Sequence, residues 1–143
     1  MSFIHLNVAS AYSFKYGTTQ PSNLVQRAAQ LEMPSLALTD RDGLAGAICF
    51  AQSCVDYGIA PILGVNCAIS IKDLNGGTAN GRITLLAHSD GGWRSLCRLM
   101  TSLSMTKDTR TPILTLDFLQ QFSNYSTNLY AMHGPESPIS PTS

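Results

Sequence analysis

Leu36-Ala37-Leu38 is a short apolar run that ends in Thr39-Asp40-Arg41-Asp42, and it lies between two stretches of helical periodicity. A run that is apolar at successive positions, rather than at every second one, predicts a strand, here Ser35 to Thr39, covered on both faces. That is the usual situation of a parallel strand inside an α/β sheet. Before it, Pro21 opens a helix to about Leu31, with Leu24, Ala28 and Leu31 on one stripe, and Met33-Pro34 ends it. After it, Leu44, Ala47, Ile48, Ala51 and Val55 recur at helical spacing, with Gly58 as the C-terminal stop.

The rest of the chain repeats the alternation. Phe3 to Val8, Ile59 to Ser70, Ile83 to Ala87 and Leu129 to Met132 read as further strands, the first of them leading into a polar loop from Ser10 to Thr19. Asp73 to Gly81, with Gly76-Gly77 and Asn80-Gly81, reads as a loop or turn. Asp90 is the expected N-cap of a helix to about Met105, with Trp93, Leu96, Met100 and Leu103 facing inward. Thr106 to Pro112 reads as loop and Leu116 to Phe122 as a short helix. Strands alternating with helices predict βαβ units and a mainly parallel sheet, whose function gathers in the loops at the carboxyl ends of the strands. His5 to Ser13, Asp40 to Asp42 and Asn66 fall in such places.

Composition narrows the partners. Charged residues make up 13% of the 143, and the formal net charge is zero. A neutral chain has no sequence-wide electrostatic grip on nucleic acid. So sparsely charged a surface predicts that part of it is covered, as by the rest of a larger chain. Residues 1–134 read as one domain and 135–143 as a Pro/Ser-rich disordered end. No apolar run approaches the ~20 residues of a membrane span, so a soluble cytoplasmic protein is expected. Cys49, Cys54, Cys67 and Cys97 have no C-x-x-C spacing and read as small buried apolar residues in a reducing compartment.

Few residues recommend themselves as chemistry. Ser10 and Ser13 have no histidine at a triad-like spacing, and Gly76-Gly77 lacks the context of a phosphate loop. His5 at a strand start reads as structural, His88 as part of a loop bond or helix cap, and His133 alone cannot hold a metal. Lys72, Arg82, Arg94, Arg98, Lys107 and Arg110 could only form a basic patch if the Arg94/Arg98 helix face is exposed, and a solvated face is the simpler reading.

Four segments carry a resemblance. They are His5-Leu6-Asn7-Val8-Ala9-Ser10-Ala11-Tyr12-Ser13-Phe14-Lys15-Tyr16-Gly17; Ala37-Leu38-Thr39-Asp40-Arg41-Asp42-Gly43-Leu44-Ala45-Gly46; Pro61-Ile62-Leu63-Gly64-Val65-Asn66; and Leu85-Leu86-Ala87-His88 through Trp93-Arg94-Ser95-Leu96-Cys97-Arg98-Leu99. In this order they resemble the polymerase-and-histidinol-phosphatase (PHP) family, most closely the PHP domains that open bacterial DNA polymerase III alpha-type proteins, replicative or error-prone. The family pattern runs close to H-L-H-V-H-S-x-Y-S-x-x-D-G, A-L-T-D-H-x-x-x-x-G, P-I-x-G-x-E and L-L-A-K-x-x-x-G-Y-x-N-L.

The resemblance implies a distorted β/α (TIM-like) barrel, of which this chain would be roughly the N-terminal half, and two or three divalent metals in active members. Carried over residue by residue, the ligand positions fall on Asn7, Ala9, Tyr16, Arg41 and Asn66, with a later histidine falling on Arg82. His5 and Asp40 flank those positions. None of the six is a good ligand for a divalent ion. Asn7 and Asn66 offer neutral amide oxygens, Ala9 offers nothing, and Arg41 stays protonated. Two unit charges at ~4 Å cost roughly 4 kcal/mol at an effective dielectric of 20, and a divalent ion doubles that.

The expectation is therefore a catalytically inactive PHP-like domain with no catalytic residues, no metal and no cofactor. An internal ion-pair network through Asp40-Arg41-Asp42 would fill the vacated site, and Arg41 is the candidate contact for an anion. Its expected partners are the remainder of a polymerase chain or other replication proteins, with DNA reached through the parent protein, no membrane, and a dimer through an open sheet edge as a further option. A metal-dependent phosphoesterase with relocated ligands, or a module holding a phosphorylated ligand through Arg41, are the alternatives.

Overall fold

The polar strand ends gather around one mixed sheet. The structure, a computed structural model, describes residues 4–13, 17–72, 75–105, 113–115, 118 and 128–132. In chain order it contains α1 (Pro21–Gln30), β1 (Ser35–Arg41), α2 (Ala47–Tyr57), β2 (Ala60–Lys72), β3 (Thr78–Ala87), α3 (Ser89–Ser104), β4 (Ile113–Thr115) and β5 (Leu129–Met132). The sheet runs β1-β2-β3-β5, with β4 also paired to β2. Pairings β1–β2 and β2–β4 are parallel, whereas β2–β3 and β3–β5 are antiparallel.

The βαβ unit expected around Leu36-Ala37-Leu38 is present as β1-α2-β2, with Ser35 opposite Ala60 and Arg41 opposite Asn66. Pro21 at the first turn starts α1, and Gly58, at φ 69°, ends α2 in the left-handed conformation that a helix C-terminus favours. After α1, Glu32 takes the same region at φ 57°, and the Met33 N–H closes onto the Ala28 carbonyl at 3.0 Å. That bond offsets the cost of a side chain in a conformation where glycine is usual.

Several expectations are corrected. Residues 4–8 form no strand. The Ala37 N–H donates to the His5 carbonyl at 3.2 Å and the Thr39 N–H to the Val8 carbonyl at 2.8 Å. Positions 5 and 8 are one residue further apart than positions 37 and 39, so the segment carries an extra residue and no regular ladder can run. The Asp73–Gly81 region is not all loop: β3 starts at Thr78 and extends a long antiparallel hairpin in which Lys72 faces Thr78. Asp90 lies in the first turn of α3, and His88 holds the N-cap position without a side-chain capping bond. In α2 the buried residues are Ala47, Phe50 and Cys54, while Ile48 and Val55 of the expected stripe are 69% and 72% exposed. The Leu116–Phe122 helix apart from Phe118, the Thr106–Pro112 loop and everything after Met132, including His133, lie outside the described residues.

Strand parity sorts the two faces of the sheet. Leu36 and Leu38 of β1 pack with Val25, Ala28, Phe50, Cys54 and Ile59, so α1 and α2 cover that end. Val65, Cys67, Ile69, Ile83 and Leu85 pack with Leu96, Leu99, Met100 and Leu103, so α3 covers the same face further along. Arg41, Asn66, Thr84 and Arg82 alternate onto the other face, where Arg41 pairs with Asn66 and Asn66 with Thr84.

Candidate functional site

Two polar clusters form around the end of β1. The first surrounds Asp40, whose buried carboxylate accepts the Ser10 N–H at 2.6 Å, the Ser10 hydroxyl at 2.8 Å and the Ser13 hydroxyl at 2.7 Å. Ser13 Oγ accepts the Arg41 N–H at 2.8 Å and Ser10 Oγ accepts the Tyr12 N–H at 3.2 Å. The two serines therefore anchor the first loop to the end of β1. Ser10 and Ser13 are fully buried, which leaves neither hydroxyl open to a substrate. Gly46, just ahead of α2, lets the helix approach: a Cβ there would lie 3.0 Å from Asp40 Oδ2 and 2.9 Å from Tyr12 Cδ2.

The second cluster centres on Arg82, on the sheet face away from the helices. Its Nε donates to Asn66 Oδ1, and one terminal nitrogen donates to the Asn66 carbonyl at 2.8 Å and to Asp42 Oδ1 at 2.9 Å. The Asp42 N–H also reaches the Asn66 carbonyl, at 2.9 Å, and Asn66 Nδ2 donates to Thr84 Oγ1 at 3.1 Å. Arg82 and Asp42 are only 15% and 25% exposed, so water screens this ion pair less than one at the surface. Asp42 sits at φ 58°, in the left-handed region that aspartate tolerates better than most residues.

The positions carried over as metal ligands divide as follows. Asn66 and Arg82 are bonded to each other. Asn7 is exposed, and its Oδ1 accepts the Thr39 hydroxyl at 2.9 Å. Ala9 lies close to the first loop's turn, Arg41 ends β1 beside Asn66, and Tyr16 lies outside the described residues. An ion-pair network was expected through Asp40-Arg41-Asp42. Asp42 takes its ion pair with Arg82, from a strand forty positions away, and the Asp40 carboxylate is held by hydroxyls and an amide.

These residues do not fit a cluster of divalent ions. Asn66 Oδ1, a neutral oxygen that could face a cation, already accepts from a guanidinium. Asp42 is the carboxylate of this cluster, and Arg82 neutralises it. Among the described residues, no group of three or more His, Cys, Asp or Glu side chains is placed to hold a metal ion. The arrangement joins the middle of β2 and β3 to the turn that follows β1.

Other expectations also meet the structure. His5 is exposed, and its carbonyl helps fix the N-terminal segment on β1. His88 donates its backbone N–H to the Asn128 carbonyl at 2.7 Å, and its ring lies edge-on to Tyr130, with centroids 5.5 Å apart. Arg94 and Arg98 are exposed on α3, but Arg82 faces Asp42 and does not join them. Cys54 and Cys67 are buried as expected, Cys97 is half-buried, and Cys49 is exposed on α2, against expectation. Burial pushes the Cys54 thiol up to about 11. Burial, aided by the Asp42 charge and opposed by Arg82, pushes the Cys67 thiol up to about 12.

Sequence reasoning missed the roles of Ser10, Ser13, Thr84 and Arg82. The signal for Arg82 was its spacing from Asn66 across an Asn/Gly-rich stretch, which becomes a contact only once that stretch is read as a hairpin.

Comparison with known proteins gives a consistent picture. The family model described as PHP domain matches residues 5–138. The error-prone DNA polymerase of Corynebacterium efficiens is 35% identical over 104 residues, which is 73% of this chain and 9% of that protein. The DNA polymerase III subunit alpha of Buchnera aphidicola is 36% identical over 99 residues, 69% of this chain and 8% of that protein. The chain thus spans roughly a tenth of the length of the curated relatives it matches. Among solved structures, an amidohydrolase from Chromobacterium violaceum with bound sulfate and no metal gives a TM-score of 0.52 at 26% identity, covering 70% of this chain and 32% of that one. No helix among the described residues is long and apolar enough to cross a membrane.

Proposed function

The chain belongs to the PHP domain family, and from that premise we propose that it is a non-catalytic PHP domain of a bacterial DNA polymerase III alpha-type protein. Its role is to brace neighbouring polymerase elements, or a partner replication protein, in the cytoplasm. The observation that carries this reading is the Arg82–Asn66–Asp42 cluster: a guanidinium lies beside the end of β1, at positions where a hydrolase of this family would need carboxylates and imidazoles. The positions Asn7, Ala9, Tyr16, Arg41, Asn66 and Arg82 are in this reading vestiges of a metal site. Membership of a polymerase is supported by relatives of both kinds, error-prone and replicative alpha, each matched at 30% identity or better. Polymerase chemistry itself needs a separate catalytic domain with carboxylates around two metal ions.

The test is metal analysis of the purified chain, together with hydrolysis of a generic phosphate ester in added manganese or zinc. The expected result is substoichiometric metal and no turnover above that of an Arg82→Gln control. Stoichiometric metal with hydrolysis would establish a phosphoesterase instead.

A further inference from the structure

We propose that Arg82 serves as a built-in cation, tying the end of β1 to the middle of β2 and β3 and holding the turn at Asp42, so that the folded state needs no bound metal. This deepens the reading of the site as non-catalytic and rests on it.

Part-buried carboxylate and amide oxygens are costly unless donors meet them, and a cation serves a carboxylate best. Here one side chain answers three acceptors: the Asn66 amide oxygen, the Asn66 carbonyl and the Asp42 carboxylate. Its planar fork suits this, because Nε and a terminal nitrogen point to the same side. Arg82 lies on β3, Asn66 on β2, and Asp42 immediately follows β1, so three consecutive strands meet at one guanidinium.

The Asp42 backbone shares in the tie, since its N–H meets the same Asn66 carbonyl at 2.9 Å. With φ at 58°, Asp42 occupies a conformation that persists only when surrounding contacts hold it. The ion pair and this backbone bond are those contacts. Arg82 and Asp42 are neutral together, and a divalent ion brought to Asp42 would meet a fixed positive charge 2.9 Å from its carboxylate.

The experiment follows thermal unfolding of the full chain, with and without EDTA, and with manganese or zinc. The wild type is expected to unfold at one temperature under all of these conditions. Arg82→Gln and Asp42→Asn are each expected to lower Tm by about 5 °C, and the double variant by little more than either alone. Added ethylguanidinium is expected to raise the Tm of Arg82→Ala and leave that of the wild type unchanged. Full additivity of the two single losses, no rescue, or a wild-type Tm that falls on chelation would overturn the proposal. If Arg82→Gln does not fold, Arg82→Lys replaces it, and the chelation result on the wild type still decides. Hydrolysis by metal-loaded protein with an unchanged Tm would sink the functional reading and leave the tie standing.

Discussion

Arg82 on β3 donates its Nε–H to the side-chain oxygen of Asn66 on β2, although these residues are not directly opposite in the ladder. Asn66 faces Thr84, and Arg82 faces Ala68, so the bond runs diagonally across an antiparallel pair. Such a diagonal is within reach of a long side chain and leaves the direct partner, Thr84, to take the Asn66 amide nitrogen. Asn66→Leu removes both side-chain bonds and leaves the guanidinium short of an acceptor. Urea unfolding is expected to show a loss of about 1–3 kcal/mol. Asn66→Asp keeps an acceptor and adds an opposite charge, and its unfolding midpoint is expected to equal or exceed that of the wild type.

Asp40 is the corresponding anchor on the helix side. Asp40→Asn keeps the shape but puts an amide nitrogen where hydroxyl and N–H donors converge from Ser10 and Ser13. The expected cost is about 2–3 kcal/mol in a denaturant titration. Gly46→Ala is expected to weaken the same corner, because its methyl group would press on Asp40 and Tyr12. A Gly46→Ala protein as stable as the wild type would contradict the close approach of α2.

The cysteines predict both reactivity and alkaline behaviour. Cys49 is exposed and is expected to react with a thiol reagent in the folded state, while Cys54 and Cys67 react only as the chain unfolds. The buried thiols hold their protons more tightly folded than unfolded, with folded values of about 11 and about 12 against 9.0 for the free group. Their contribution is complete below pH 9.0 and is lost as pH rises from there through the folded values. Urea midpoints measured from pH 8 upward are expected to fall above about 9, and Cys67→Ala is expected to reduce that slope.

Helix α2 offers a contrast between its faces. Phe50 is fully buried, and Phe50→Ala is expected to cost about 3–5 kcal/mol through the cavity it leaves. Ile48→Lys and Val55→Lys, on the exposed side, are expected to stay within about 0.5 kcal/mol of the wild type. A large loss from either lysine variant would show that this helix face is covered in solution.

The parts legible in the sequence were those with strong local periodicity. The extents of α1 and β1, the Gly58 stop and the end of α3 follow from apolar spacing and breaker residues, and each lies within a residue or two of expectation. The inward face of α2 was misread because its apolar residues surround the helix, so hydrophobicity alone does not orient it. The β2–β3 hairpin was hidden by Gly76-Gly77 and Asn80-Gly81, turn-forming residues of which only the first pair lies near the turn. The site suffered most from that. Asp42, Asn66 and Arg82 could each be singled out as chemically unusual, but the bond between them depends on a strand register that no local pattern encodes.

Strand β2 pairs with three others: β1 along Ala60–Asn66, β4 along Ala68–Ser70 and β3 along Gly64–Lys72. It is the keel of the sheet: Gly64–Asn66 lie between β1 and β3, and Ala68–Ser70 between β4 and β3, so the peeling of one neighbour frees only the amides bonded to it and leaves the strand paired on its other edge. An inserted or deleted residue between Gly64 and Asn66 would disturb the register with β1 and β3 together, and one between Ala68 and Ser70 that with β4 and β3.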